Sequence, residues 1–407
     1  MEYIAFIPLI GGMAIANEQA TGKKPKYVLS YKAFEKNESN LKNYWPDVEW
    51  KVLDAETNTL EDEPDYSDID FVSSVCPCAG MSMMSSSRSA DSETNNWLYK
   101  AADYILGKIK PKVYFGENAP GLYSDTNIKV ANKLREFADK YGYAFTIYKT
   151  NTQLHGIPQR RVRTFFFFWK GDKCPEMEYY NHPADKPFEE WILDKNVGEH
   201  SDTYGTVDIE RAYPEFKWIL DTKCNGNYDE YVKFFYNFYD NDHRVPGPYA
   251  YIVNDNMWEE YMNWLKQYEF GNVPIAKNGK RTPLDIAEYR YDKIKRGLRF
   301  YSDEPVVYKE YTSAITGKNL NLTMHPKEFR VLTLRESMAL MGLPEDFKVT
   351  SGNHVHITQN VPVCTAKDMT EQAIKFINGQ LKMTDFKYIK QNNLTQRIDY
   401  KDTSNLV

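Results

Sequence analysis

The 407-residue sequence contains little of what marks secreted or membrane proteins. It has 5 cysteines, an odd and sparse number that is typical of free thiols in a reducing compartment. The apolar N-terminal stretch Tyr3–Ala16 follows Glu2, whereas a secretory signal peptide begins with positive charge and ends at a cleavage site. No other stretch is long and apolar enough to span a bilayer. We therefore expect a cytoplasmic protein with no membrane segment, and we expect it to be a monomer.

Metal-binding patterns are equally scarce. Cys76 and Cys78 are separated by a single proline, a spacing that fits neither a zinc knuckle nor a redox CxxC motif. His354 and His356 form an HxH pair without a second pair of ligands. The sequence therefore predicts no metal site.

The net charge of -6 excludes a chain that is strongly basic throughout. A protein can still bind nucleic acid through a local basic stripe, because only the contacting surface has to neutralise phosphate charges. One stretch has this character and predicts such a surface, although a solvated helix face remains an alternative. Its basic residues are Lys277, Lys280, Arg281, Arg290, Lys293, Lys295, Arg296 and Arg299.

Length and apolar patterning predict two domains, because a chain of 407 residues exceeds one ordinary core. Residues 1–170 alternate short apolar runs with helical patterns, which is typical of an α/β fold with a mostly parallel sheet flanked by helices. The run Phe165–Trp169 is apolar on both faces, as an interior strand would be. Residues 171–327 lack a clean period and predict a second, irregular domain. Regular patterns return in residues 328–381, and residues 382–407 are predicted to form a polar tail.

Three short motifs carry reactive groups and follow one another at similar intervals. Cys78 follows a proline in Ser74–Ser82, Glu117 lies in Phe115–Leu122, and Gly156–Arg163 is basic. In this order, the motifs resemble those of the DNA cytosine-5 methyltransferase family. The resemblance implies modification of carbon 5 of cytosine, and the three groups suit that chemistry. A thiolate adds to carbon 6, an acid neutralises the charge at the ring nitrogen, and a guanidinium group stabilises the ring oxygen.

The resemblance extends from Ile4 to about Leu381, apart from the middle region. It implies a Rossmann-like catalytic domain in residues 1–170, completed by residues 328–381, with a target-recognition domain inserted between them. It also implies double-stranded DNA as the substrate, a base that is flipped out of the stack, and S-adenosylmethionine as the donor. Three later segments also resemble family motifs (RxLTxRE, QGFPxxF and GNxVP), namely Arg330–Glu336, Met341–Phe347 and Gln359–Pro362.

The resemblance also implies a role for each reactive residue. Cys78 would attack carbon 6, and Glu117 would hold a proton for the ring nitrogen. Arg163 would contact the ring oxygen, with Arg161 near the flipped nucleotide. Purely structural interpretations stay open, namely that Cys78 is a small buried apolar residue and that Glu117 is an acid in a surface turn. The predicted DNA-contacting residues are Ser82, Arg88, Gln159, Arg160, Lys293 and Arg296.

The donor-binding half departs from the family pattern. Leu9 replaces the first glycine of the opening loop, and its side chain should crowd the close approach that glycine allows. Ala5 replaces the leading acid, and no acid follows the second strand, where Ser30, Tyr31 and Lys32 stand. The donor contacts that the resemblance still implies involve Ile10, Gly11, Gly12, Tyr31, Asp54, Pro77, Asn360 and Val361.

Three functions remain open at this point. The first is a cytosine-C5 methyltransferase of the restriction-modification type with a divergent donor pocket. The second is a cytosine-modifying enzyme with an altered donor, since Lys32 would favour a more negative ligand. The third is a DNA-binding protein of this fold that has lost turnover. We expect the first, because every element of the nucleophile half is intact.

Overall fold

Apolar runs and helical patterns near the N-terminus form alternating strands and helices in the computed structural model of the chain. The structure describes residues 1–77, 81, 89, 91–196, 209–239, 248, 251–252, 256–275, 279–298, 305–316, 322–349 and 354–400. The chain divides into two compact units. The first unit comprises Met1–Asp185 and Met338–Val407, and the second unit comprises Lys186–Ser337.

The first unit begins with the predicted alternation of strands and helices. Its leading elements are β1 Glu2–Phe6, α1 Gly12–Thr21, β2 Tyr27–Tyr31, α2 Glu35–Tyr44, β3 Trp50–Leu53, β4 Ile69–Val75, α3 Asn95–Tyr104, β5 Val113–Asn118, α4 Ile128–Tyr141, β6 Tyr143–Asn151, β7 Gln159–Arg160 and β8 Val162–Lys170. The second unit follows with α5 Phe188–Trp191, α6 Ile209–Ala212, α7 Pro214–Lys223, α8 Tyr228–Tyr239, α9 Trp258–Gln267, α10 Pro283–Lys295, β9 Val306–Val307, β10 Thr312–Ser313 and β11 Thr323–Met324. The remaining elements are α11 Leu334–Ala339, α12 Val363–Ile377, β12 Tyr388–Asn392 and β13 Arg397–Tyr400.

One sheet organises the first unit. Among the described residues it has 9 strands in the order β13-β12-β6-β8-β5-β4-β1-β2-β3. Most neighbours are parallel, whereas β8 is antiparallel to both β5 and β6, and β13 is antiparallel to β12. The order β3-β2-β1-β4-β5 is that of a doubly wound, Rossmann-like sheet. The predicted α/β fold class is therefore confirmed.

The aromatic strand β8 lies in the interior of this sheet, between β6 and β5. Phe165 to Trp169 are each fully buried, as expected for a strand covered on both faces. Rings of β8 stack on rings of the neighbouring strand β5. Phe115 of β5 and Phe167 of β8 stack at a centroid distance of 5.3 Å. Tyr114 and Phe168 stack at 5.3 Å in the same way. These cross-strand ring pairs fix the register in which β8 lies beside β5.

The carboxyl ends of the parallel strands bring distant loops together. The loop after β1 and the loop after β4 leave the same edge of the sheet, because Phe6 pairs with Ser74 in parallel register. The order β3-β2-β1-β4-β5 makes β1 and β4 the point at which the chain reverses its direction of winding. Such a switch point opens a crevice at the carboxyl edge, where ligands bind in open α/β sheets.

The segment predicted as a polar tail contributes two strands to the sheet. β12 pairs in parallel with β6, and β13 closes a hairpin on β12. Gln391 is fully buried and holds the backbone of Met177 on both sides, donating to its carbonyl at 2.6 Å and accepting from its N–H at 3.1 Å. The hairpin is therefore an integral part of the first unit.

The second unit contains short helices that the sequence patterns did not delineate. Helices such as α8 carry aromatic residues on several faces, and aromatic residues also favour strands, so the helical period was obscured. The core of this unit is largely aromatic, and its buried rings include Phe216, Trp218, Tyr231, Phe235, Trp258 and Tyr261. None of the helices in the described parts of the chain is long and apolar enough to cross a membrane.

We expect Gln391→Leu to lower the free energy of unfolding by about 2–4 kcal/mol, because it leaves two buried backbone groups of Met177 unsatisfied. Urea denaturation followed by circular dichroism would measure the change. Thr395→Ala, at an exposed position of the same hairpin, is the matched control and should change stability by less than about 0.5 kcal/mol. Equal stabilities of the two variants would show that the hairpin does not contribute to the core.

Candidate active site

The three sequence motifs reach the same edge of the sheet. Val75 at the end of β4 pairs with Glu117 in β5, and Glu117 pairs with Phe165 in β8. The first two motifs thus lie at the ends of adjacent parallel strands, and Arg163 lies at the start of the strand beside them. Cys78, Ser82 and Arg88 lie outside the described residues, so their predicted roles remain predictions.

Two residues before Cys78, the chain carries a second cysteine whose side chain is buried. Cys76 is 2% exposed, and burial raises the pKa of its thiol to about 12. A thiol with such a pKa remains protonated at neutral pH and is a poor nucleophile. Cys76 therefore suits a structural role in the strand end, as a small apolar side chain.

Glu117 and Arg163 form a buried ion pair at this edge. The Nε of Arg163 lies 2.7 Å from Oε1 of Glu117, and Glu117 is 5% exposed. Burial raises the pKa of the Glu117 carboxyl group, while the guanidinium groups of Arg163 and Arg161 oppose this rise. Glu117 is therefore held in a buried, charge-balanced setting rather than in a surface turn. Such a setting suits an acid that keeps a proton until a substrate requires it.

Arg161 and Gln159 hold the surrounding loops together. The Nη2 of Arg161 donates to the carbonyl oxygens of Thr358 and Asn360, at 2.7 and 3.0 Å. Gln159 is fully buried and donates through Nε2 to the carbonyl oxygen of Leu340 at 2.8 Å. The prediction that Gln159 contacts DNA is therefore corrected, because its side chain lies in the interior. The exposed residue of this motif is Arg160.

The loop after β1 packs closely against the segment before α12. The backbone N–H of Gly12 donates to Oδ1 of Asn360 at 2.8 Å. A Cβ atom at Gly12 would lie 2.1 Å from the carbonyl oxygen of Val361, so only glycine permits this approach. The Nδ2 of Asn360 is buried and has no acceptor among the residues that the structure describes. A ligand that supplies an acceptor would satisfy this donor, and Ile10 and Gly11 lie in the adjoining loop.

Leu9 adopts the conformation that a glycine would adopt. Its φ angle is 52°, in the left-handed region, and its side chain is buried with 8% exposure. Ile7 shares this feature with a φ of 45°. A left-handed conformation costs a side-chain-bearing residue on the order of 1 kcal/mol, so surrounding contacts must hold this loop.

Aromatic rings gather at the end of β2. The rings of Tyr31 and Phe34 each lie with their centroids 5.0 Å from that of Trp97. The hydroxyl group of Tyr31 donates to Oδ1 of Asn58 at 2.6 Å, in the loop after β3. Asp54 begins this loop, and backbone N–H groups of Thr57 and Glu56 lower the pKa of its exposed carboxyl group. Tyr31 and Asp54 are thus joined through one loop.

Sequence reasoning missed a buried acid in α2. Glu38 is 4% exposed and accepts a hydrogen bond from Oγ of Ser30 at 2.5 Å. The signal was present in the sequence, because Phe34, Leu41 and Trp45 mark the apolar stripe of this helix. Glu38 falls on that stripe, and an acid on a buried stripe indicates a special contact.

The basic stretch of the second unit forms a capped helix. Thr282 and Asp285 make a reciprocal capping box at the start of α10. The ammonium group of Lys293 lies 4.6 Å from the ring centroid of Tyr289, which is 53% exposed. Arg290 was predicted to belong to the basic stripe, but its Nη1 lies 3.9 Å from Oε1 of the buried Glu215. Lys277 and Arg299 lie outside the described residues.

Residues 1–375 match the C-5 cytosine-specific DNA methylase family. A match over this length, together with the sheet order and the buried acid at its carboxyl edge, shows that the chain belongs to this family. The family places it among the DNA cytosine methyltransferases.

The most similar proteins include methyltransferases of bacteria and archaea. Type II methyltransferase M.MthTI of Methanothermobacter thermautotrophicus is 23% identical over 358 residues, 86% of this chain and 89% of that protein. Type II methyltransferase M.Bpa9945I of Bacillus paralicheniformis is 22% identical over 319 residues, 72% of this chain and 66% of that protein. A crystal structure described as a DNA modification methyltransferase of an E. coli prophage superposes with a TM-score of 0.55 at 16% identity, covering 93% of this chain and 99% of that one.

The buried ion pair predicts how stability depends on pH. Since Glu117 keeps its proton to higher pH in the folded chain than in the unfolded chain, unfolding releases a proton above pH about 4.3. The free energy of unfolding therefore falls as pH rises toward the folded pKa. Arg163→Met removes the cation that lowers this pKa, so the fall of the free energy of unfolding should extend to higher pH than in the unchanged protein.

Urea denaturation between pH 5 and pH 8 would measure this effect. Glu117→Gln is the matched background, because it keeps the shape of the side chain and removes the titrating group. The additional pH dependence caused by Arg163→Met should vanish in that background. Its persistence in the double variant would assign it to a group other than Glu117.

Proposed function

We propose that the chain methylates carbon 5 of cytosine in double-stranded DNA. The observation that carries this proposal is the buried Glu117–Arg163 pair, 2.7 Å apart, at the strand end beside the motif that contains Cys78. A thiol, a protonatable acid and a guanidinium group are the three groups that the reaction needs. The named relatives are Type II methyltransferases, and we propose the same kind of role, modification of a short DNA target.

The nucleophile and the acid act at different positions of one ring, carbon 6 and the ring nitrogen. The Cys78 thiolate forms a bond to carbon 6, and the electron pair of the C5–C6 double bond moves into the ring. Glu117 supports this step by giving its proton to the ring nitrogen, and Arg163 stabilises charge at the ring oxygen. Carbon 5 then carries the electron pair that would form the bond to the methyl group supplied by a bound donor. After this transfer the proton at carbon 5 leaves to solvent, the C5–C6 double bond forms again as the bond from sulfur to carbon 6 breaks, and the ring nitrogen returns its proton to Glu117.

Burial of the acid requires that the base move to the protein. With 5% of its surface exposed, Glu117 is out of reach of a cytosine stacked inside a duplex. We propose that the target nucleotide is extruded into the crevice at the carboxyl edge of the sheet, as in other enzymes that modify a base. The side chain of Arg160 is exposed near this edge and can contact a phosphate group.

The residues around the β1–α1 loop fit S-adenosylmethionine, which would supply the methyl group when bound. The unsatisfied Nδ2 of Asn360 and the backbone around Gly12 offer polar contacts. The rings at the end of β2 offer an apolar surface for a base. The residues that we propose to hold the donor are Ile10, Gly11, Gly12, Tyr31, Asp54, Pro77, Asn360 and Val361.

An altered donor is the second candidate. A cavity of about 220 Å³ at the end of β2 is lined by Lys32 and Lys42 as well as by acids. Lys32 and Lys42 would favour a donor that carries extra negative charge, whereas Glu35 and Glu38 would oppose it. The mass of the modified nucleoside distinguishes the candidates, because 5-methylcytosine is expected from S-adenosylmethionine and a heavier product from a larger transferred group.

The covalent step can be tested without knowledge of the target sequence. A long duplex in which 5-fluorocytosine replaces cytosine should trap the protein in the presence of S-adenosylmethionine, because fluorine cannot leave as a proton does. We expect a complex that survives denaturing electrophoresis. Cys78→Ser should abolish this complex, whereas the nearby Cys76→Ser should retain it. An adduct formed by the Cys78→Ser protein would disprove the assignment of the nucleophile.

The basic helix of the second unit predicts a salt-dependent contribution to DNA binding. Replacing Lys293, Lys295 and Arg296 by alanine should weaken binding and flatten its dependence on salt by about 0.9 for each phosphate group that is no longer neutralised. The matched control replaces three other basic side chains of the second unit, each paired with an acid, namely Lys223, Lys233 and Lys327. An equal change of salt slope in both triple variants would show that α10 has no special role.

A further inference from the structure

Helix α2 buries the acid Glu38, which lies at helical spacing from Leu41 in the helix and from Phe34 and Trp45 just outside its two ends. Phe34, Leu41 and Trp45 are 7%, 0% and 1% exposed, and Glu38 between them is 4% exposed. A carboxyl group in such a stripe loses its hydration, so it persists only where the protein supplies hydrogen bonds. Its partners therefore indicate what the residue does.

The Glu38 carboxyl group lies at the cavity at the end of β2. It accepts a hydrogen bond from Oγ of Ser30, near the end of this strand, at 2.5 Å. Glu38 lines the cavity together with Tyr31, one of the residues that we propose to hold the donor. Glu38 thus presents a carboxyl group at the end of β2, where the sequence has no acid of its own.

The groups around Glu38 both raise and lower the pKa of its carboxyl group. Burial raises the pKa of its carboxyl group to about 8, the Ser30 bond and Lys42 lower it, and Glu35 raises it. Lys32 from the end of β2 lines the same cavity. At neutral pH this group is accordingly close to the point at which a nearby ligand decides whether it keeps its proton.

We infer that Glu38 is the positioning residue of the donor site, and that it releases its proton when a cationic donor binds. The inference rests on the proposed function, which makes the donor S-adenosylmethionine. The sulfonium group of this donor is positively charged, and its ribose hydroxyl groups are hydrogen-bond donors. Both features favour the ionised form of a carboxyl group that lines this cavity. Glu38, which lies on α2, would thereby take the donor-binding role of the acid that the family pattern has after β2.

The test is isothermal titration of S-adenosylmethionine into the full chain between pH 6.5 and pH 9. Below pH 8 the affinity of the unchanged protein should rise about tenfold per pH unit, and it should level off above. Titration in two buffers of different ionisation enthalpy should show release of a proton. Glu38→Gln should bind more weakly and lose this pH dependence. The α-amino group of the ligand also titrates near pH about 8, but it does so equally for every variant.

Two further variants sharpen the result. Ser30→Ala removes a bond that lowers the pKa of Glu38, so the point at which affinity levels off should move to higher pH. Glu136→Gln, on the exposed surface of α4, is the matched control and should behave as the unchanged protein. Thermal unfolding of each variant verifies that it is folded.

The outcomes separate the inference from the proposed function. If Glu38→Gln keeps the full pH dependence, or if it weakens binding equally at every pH, the inference is overturned and the proposed function stands. If the unchanged protein binds no S-adenosylmethionine at any pH, the proposed donor fails and the inference fails with it. Loss of pH dependence confined to the Glu38→Gln protein, with the shift in Ser30→Ala, supports the inference.

Discussion

The cost of burying a carboxyl group at the carboxyl edge of the sheet governs the arrangement of the candidate site. Glu117 is nearly without solvent, which disfavours its ionised form, and Arg163 at 2.7 Å opposes that penalty. That cation is available only because β8 runs antiparallel between β5 and β6, which brings its first residues beside the last residues of β5. The aromatic ladder of β8 holds this register. The register that packs the rings of β8 in the interior of the sheet therefore also places Arg163 beside Glu117 at its edge.

Much of this arrangement could be predicted from the sequence, and the failures have physical causes. The alternation of apolar runs predicted the mostly parallel sheet of the first unit, and the run Phe165–Trp169 predicted β8 as an interior strand, since buried strands carry strong local signals. The hairpin β12–β13 was missed, because its residues are mixed in polarity and β12 pairs with β6, far away along the chain. The helices of the second unit were missed because aromatic residues obscure a helical period.

Predictions for single residues succeeded where a motif carried the signal and failed where the contact joins distant segments. Motif order placed Glu117 and Arg163 in one site, and the structure joins them directly. Composition could not reveal that Gln159 points inward or that Arg161 binds the carbonyl oxygens of Thr358 and Asn360, because these contacts join distant segments. Leu9 was expected to crowd the donor loop, yet it adopts the backbone conformation of a glycine. The buried acid in α2 was visible in the sequence as an interruption of an apolar stripe.

The discontinuity of the first unit has a consequence for the synthesis of the protein. Its strand β6 pairs with β12, and Gly12 bonds to Asn360, across separations that include the whole second unit. While the chain emerges from a ribosome, the edge of β6 remains unpaired and the donor loop lacks its partner until the last helix and hairpin have been made. Unpaired edges of this kind invite association with other chains. The second unit therefore has time to fold first, and a chain that is cut short within it lacks the Asn360 side chain that bonds to Gly12.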